Sequence, residues 1–217
     1  MIIKELTKQL FHLIEEKDYD EALKVQDDIV NKSKELKYKL DTYTNFERTY
    51  PDIVKTHSAE LIDIKANKDG ELVCVLKMPK DIFMLVSPYI VDNALETRAA
   101  GLPVMMCTFY DDLIEINELH TDRGIKNHVD GLYAFEDKGY GTILLDSMID
   151  YALKNGYKSD CVVKGTLYEG DAATDERKMR RNMFYSKRGF DVKPKIDTEN
   201  GNIRATIGQL LQNRSNR

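Results

Sequence analysis

Four residues, Gly139-Tyr140-Gly141-Thr142, stand at the head of a strongly apolar helical run. Ile143, Leu144, Leu145, Met148, Ile149, Ala152 and Leu153 recur at helical spacing and form one broad face. Asn155-Gly156 supplies the stop, because glycine accepts the left-handed conformation that ends a helix. A turn with two glycines lets the backbone come close to a ligand. The first helical turn offers N–H groups without intrahelical partners and the positive end of the dipole, so the pair suits a diphosphate. Glycine before a helix is also an ordinary tight turn, and this stretch alone leaves both readings open.

A second stretch, TDERKMRRNMFYSKRGF, runs from Thr174 to Phe190. Thr174 is placed to cap a helix, and Asp175 and Glu176 suit its first turn. Phe184-Tyr185 comes near the helix end, and Gly189 closes it before Phe190. Between the two stretches, Asp160–Val163 reads as a short strand. A glycine-opened helix, a strand and a second helix ending in FYxxxGF occur together in one family. From about Val104 to Val192 the chain resembles the GNAT N-acetyltransferases.

The resemblance implies an α/β domain with the mixed sheet of the GNAT fold over residues 58–210, using acetyl-CoA to acylate an amine by direct transfer. It implies that backbone N–H groups of Lys138, Gly139, Tyr140, Gly141 and Thr142 hold the diphosphate. A strand N–H near Leu119 or His120 would polarise the thioester carbonyl. Tyr185 would return a proton to the sulfur, and Arg181 would reach a phosphate. The strand after the glycine-opened helix would splay from its neighbour and leave a gap for the pantetheine arm.

The attacking amine must be neutral, because an ammonium has no lone pair. Glu118 and His120 alternate with Ile114 and Ile116, so they would share a strand face and offer a proton acceptor. Each candidate has a plainer reading. Tyr185 packs beside Phe184, Glu118 is a solvated carboxylate, His120 is a loop-edge histidine, and Lys178, Arg180 and Arg181 are a solvated helix face. The four histidines lack ligand spacing, so no metal is expected.

Three positions depart from the family pattern. Glu136, followed by Asp137, stands at the usual Arg/Gln position, and Lys138 would offset part of that charge. Lys178 and Arg181 stand where Asn and Ala are frequent. A rival reading follows: a GNAT-fold binding or regulatory module with weak or no turnover.

The elements that must position these groups begin elsewhere in the chain. Residues 2–16 carry one apolar stripe, and a second helix is expected from about Tyr19 to Leu40, with Ala22, Leu23, Val25, Ile29 and Leu36 inward. Joined by a short turn, they form an antiparallel hairpin over residues 1–45. It resembles the UVR helical hairpin, which implies a protein partner or a homodimer through residues 1–40. Packing on the main domain is the alternative. Residues 41–57, with Pro51, read as the junction.

Strands are expected at 60–66, 71–78, 82–86, 104–110 and 113–120, with a helical piece near Asp92–Ala99. The long segment Thr121–Phe135 reads as a loop that either forms part of the acceptor pocket or is a surface excursion, and the polar loop Gly165–Ala173 would border the acceptor site. Phe190–Val192 and Ile203–Ile207 close the sheet, and Leu210–Arg217 is expected to fray.

Composition bounds the rest. A net charge of −5, from 32 basic and 37 acidic residues, gives no global pull towards nucleic acid or anionic lipid. Cys74, Cys107 and Cys161 sit singly in apolar runs, as reduced core thiols do in a cytoplasmic protein. The first residues carry no signal-peptide pattern, and no apolar run reaches membrane-spanning length. The richness in Lys, Asn, Ile and Tyr hints at a bacterial or phage source.

Overall fold

Pro51 lies inside a helix. The computed structural model describes residues 2–94, 98, 101–121, 135, 137–168, 174–193 and 201–215, and in it α2 runs unbroken from Tyr19 to His57. The expected junction at 41–57 is therefore helical. Proline removes one N–H, but burial of Ile53 (2% exposed) anchors the last turns. The helix stops at Ser58, whose left-handed φ of 49° lets Ser58 and Ala59 donate back to the carbonyls of Lys55 and Val54.

Two compact units divide the chain, residues 1–49 and 50–217. The first holds α1 (Ile2–Glu15), a short turn with Lys17 in the left-handed region, and most of α2. Ala22 and Val25 are buried, but Leu23 and Leu36 are exposed, contrary to the expected inner face. Leu23 is rotated about 100° from Ala22. Leu36 lies past the length of α2 that a 14-residue α1 can cover. Charge pairs such as Lys39–Glu35 at 2.9 Å line the outer face of α2.

The second unit is built on an eight-stranded sheet in the order β1-β2-β3-β4-β5-β6-β8-β7. The strands are β1 (Glu60–Ala66), β2 (Leu72–Met78), β3 (Ile82–Val86), β4 (Val104–Phe109), β5 (Leu113–His120), β6 (Val162–Leu167), β7 (Asp191–Lys193) and β8 (Gly201–Thr206). All neighbours pair antiparallel except β5 and β6, which run parallel and are joined through α4 (Tyr140–Lys154). This is the mixed α/β arrangement expected of a GNAT fold.

Leu144, Leu145, Met148, Ile149 and Ala152 on α4 are buried together with Phe83, Leu85 and Met105 of the sheet. Burial of one such large side chain stabilises by roughly 1.5–3 kcal/mol, so this layer dominates the packing.

Three expectations need correction. The short helix α3 spans Pro88–Asn93 and begins before the expected Asp92, because Ser87 caps it by accepting from the Ile90 N–H and Pro88 fits the first position; residues 95–97 and 99 of the expected piece lie outside the described residues. The strand β6 extends to Leu167, so Gly165 is a strand residue and not a loop opening. The C-terminal segment forms α6 (Ile207–Ser215) instead of fraying: Ile207 and Leu210 are buried, and Arg214 bonds Asp150 at 2.6 Å.

Among the described residues, no helix is long and apolar enough to cross a membrane. The segment 122–134, the loop segment 169–173 expected to border an acceptor site, and Glu136 lie outside the described residues.

Candidate functional site

The sheet forks between β5 and β6. Parallel pairing covers Leu113–Ile116 against Val162–Gly165 and then ceases. Beyond it β5 continues to His120 paired only with β4, while β6 continues to Leu167 paired only with β8. Backbone groups of a strand point alternately to either side, so part of the Asn117–His120 backbone faces the gap without a strand partner among the described residues. Gly165 sits at the crotch. A Cβ there would lie 3.0 Å from the Ile116 carbonyl oxygen and 3.3 Å from the Ile203 side chain, so a larger residue would press the strands apart by a few tenths of an ångström where they meet.

A bulge sharpens the divergence. Cys107 opposes Ile116 and Met106 opposes Glu118, which leaves Asn117 without an opposite residue. Its amide donates to the Thr108 hydroxyl at 2.8 Å. The bulge interrupts the simple alternation with Ile114 and Ile116 read from the sequence. Glu118 and His120 nevertheless come together, the His120 Nε2 bonding Glu118 Oε1.

A cleft of about 450 Å³ fills the fork and extends to the start of α4. Its walls are β5 from Ile116 to Thr121, β6 from Gly165 to Leu167, the turn Gly139–Thr142, and α5 (Asp175–Arg188). Six cations line it: Lys68, Arg177, Arg180, Arg181, Lys187 and Arg188. Only Glu118 and Asp137 oppose them among the described lining residues, so the cleft is cationic within a chain of negative net charge.

The glycine turn has a defined geometry. Gly139 is left-handed with φ 82°, and Asp137 shares that region at φ 59°. Among the described residues, the Tyr140 and Gly141 N–H groups have no backbone acceptor, whereas Thr142 N–H already donates to Gly139 O at 3.0 Å. Thr142 is therefore not a free amide donor, and its hydroxyl accepts from Arg188. Tyr140 turns inward, 1% exposed against Phe135, and burial pushes its phenol up.

Lys138 offsets Asp137 only at a distance, and its hydrogen bond goes elsewhere. Its ammonium bonds Asp69 at 2.5 Å and lies over the Tyr89 ring, whereas Asp137 is bonded by Lys68 at 2.5 Å. That hydrogen bond holds the Asp137 carboxyl below its usual range. Lys68 comes from the β1–β2 turn, and no motif in the sequence singles it out.

Tyr185 is 6% exposed and lines the cleft. Its ring packs edge-on to Phe184 and Phe190, with centroids 5.1 and 5.5 Å away. Phe184 also covers the glycine turn: a Cβ on Gly141 would lie 3.2 Å from its ring. Arg181 donates to the Tyr168 carbonyl at 2.7 Å, so one of its nitrogens is committed to the chain. Lys178 pairs with Asp175 and does not reach the cleft.

One cleft is thus lined by a backbone amide cluster, a cationic rim, Tyr185 and a carboxylate–imidazole pair. Such a set can hold a polyanion and supply proton donors and acceptors.

No protein-family model matches the chain, and no curated protein matches it. Among solved structures it is similar to a Desulfovibrio desulfuricans protein assigned to the GNAT family of acetyltransferases. That likeness has 13% identity, a TM-score of 0.35, and covers 58% of this chain and 68% of that one.

Proposed function

We propose that the protein is an N-acetyltransferase that passes an acetyl group from acetyl-CoA directly to an amine. The observation that supports it most is the fork between β5 and β6, floored by Gly165 and leading to a cation-rimmed glycine turn. A slot between two strand edges suits an extended amide-bearing arm, which pairs with backbone groups as an added strand would. A cationic end suits phosphates.

In this reading the Tyr140 and Gly141 amides face the diphosphate, assisted by the arginines of α5. The acetyl group lies beside Leu119 and His120, where a strand N–H stabilises the oxyanion as the amine adds to the carbonyl carbon. His120, held by Glu118, accepts the amine proton. The carbon–sulfur bond then breaks, and Tyr185 protonates the departing thiolate.

The second reading, a coenzyme-binding module without turnover, draws on Phe184. Its ring covers Gly141, and Arg188 bonds Thr142 across the same turn, so the mouth is narrow. Calorimetry with acetyl-CoA and a thiol-release assay over a panel of amines separate the two. Binding with thiol release supports the enzyme, and binding without it supports the module. Absence of binding removes both.

A further inference from the structure

Lys68 lies in the turn between β1 and β2, at the edge of the sheet, sixty-nine residues before Asp137. Crossed contacts join this turn to the glycine turn. Lys68 Nζ donates to Asp137 Oδ1, Lys138 Nζ donates to Asp69 Oδ2, and the Lys68 N–H donates to the Lys138 carbonyl at 3.2 Å. Asn67 stiffens the hairpin, its Oδ1 accepting from the Asp69 and Glu71 N–H groups at 2.9 and 3.0 Å.

The two lysines are not equivalent. Lys138 is turned onto the Tyr89 ring, outside the cleft lining. Lys68 runs across Gly139, its Cγ 3.1 Å from where a Cβ would stand, and its half-exposed side chain lines the cleft.

We propose that Lys68 is a direct ligand of the phosphate groups this cleft takes, held on Asp137 until an anion displaces that carboxylate. The proposal rests on the coenzyme reading above and adds a residue to it. An ion pair this exposed is readily exchanged. A diphosphate offers more negative charge and more acceptor oxygens than one carboxylate, so it competes well for the ammonium. The backbone of Lys68 is already pinned to the glycine turn, so the exchange moves only the end of one side chain.

Opposite signs distinguish a ligand from a brace. A ligand lost in Lys68→Ala weakens binding, while Asp137→Asn frees the ammonium and strengthens it. A clasp that only shaped the turn would weaken binding in both variants.

The test is calorimetry of the full chain with CoA at two salt concentrations, with melting temperatures as a check on folding. Lys68→Ala is expected to lower CoA affinity about tenfold, the scale of one charge-assisted hydrogen bond, and to flatten its salt dependence. Lys68→Arg is expected to retain most of the affinity, and Asp137→Asn to raise it about threefold. Unchanged affinity in Lys68→Ala, or equal losses in both the Lys68→Ala and Asp137→Asn variants, overturns the proposal and leaves the coenzyme reading intact. A wild-type chain that binds no CoA removes both.

Discussion

His120 and Glu118 are hydrogen-bonded to each other on the stretch of β5 that has left its parallel partner. The proposed reaction needs a lone pair on the ring, and with Nε2 turned to Glu118 that lone pair is the one on Nδ1. On the proposed reaction, His120→Ala is expected to lower kcat about a hundredfold, the usual scale for one general base, with the KM for acetyl-CoA little changed. Glu118→Gln keeps the shape and weakens only the hold on the ring, so its loss is expected to be about tenfold. Steady-state kinetics check both. A His120→Ala enzyme with wild-type kcat sinks the role.

Tyr185 is packed between two phenylalanines, so its ring and its hydroxyl can be tested apart. Tyr185→Phe keeps both edge-on contacts and removes the proton donor. It is expected to lower turnover about a hundredfold while coenzyme affinity and melting temperature stay near wild type. Tyr185→Ala is expected to destabilise by about 3–5 kcal/mol, as large cavities from buried aromatics do, and is uninformative about chemistry. Equal turnover in wild type and Tyr185→Phe would show that the thiolate leaves without this phenol.

The glycine turn yields a prediction of another kind. Gly139 is left-handed and lies against the stem of Lys68. Gly139→Ala is expected to cost about 1–2 kcal/mol from backbone conformation alone. Gly141 has an ordinary helical backbone but touches Phe184. Gly141→Ala is therefore expected to spare stability more than Gly139→Ala does. It still weakens CoA binding, because the Cβ and the displaced ring crowd the amides. Chemical denaturation and calorimetry on both variants read the two effects separately. A Gly139→Ala protein as stable as wild type contradicts the backbone argument.

These sites were unequally legible in the sequence. The glycine-opened helix and the capped helix that carries Tyr185 announce themselves because capping, periodicity and a left-handed glycine act locally. The bulge at Asn117 was invisible, since it depends on how two strands register and not on any one residue. Gly165 looked like a loop opener because its reason for being glycine is the Ile116 carbonyl across the fork. Lys68 carried no signal for the same reason: its partner is Asp137, and only the fold brings the two turns together. The helix through Pro51 was misread because local breaker chemistry was weighed without the burial of Ile53. The α6 helix was misread because the anchor of Arg214 lies on α4.

That anchor gives a stability prediction. Asp150 accepts from Arg214 at 2.6 and 3.2 Å and from Lys65 at 2.8 Å, which joins α6, α4 and β1. Burial alone would raise the Asp150 carboxyl, but the hydrogen bonds from Arg214 and Lys65 together outweigh it and hold the group below its usual range. A carboxyl lowered in the folded state stabilises it above the unfolded value, near pH 4, and loses that contribution as pH falls through the folded value. The side chain is partly exposed, so solvent screening limits the gain to about 1 kcal/mol at neutral pH. Asp150→Asn is therefore expected to lower the melting temperature by about 2–4 °C at pH 7. The difference from wild type should shrink as pH falls below about 4, where the carboxyl begins to protonate. Thermal melts across that range check the sign: a gap that widened on acidification would mean the carboxyl is raised, and that the two cations do not govern it.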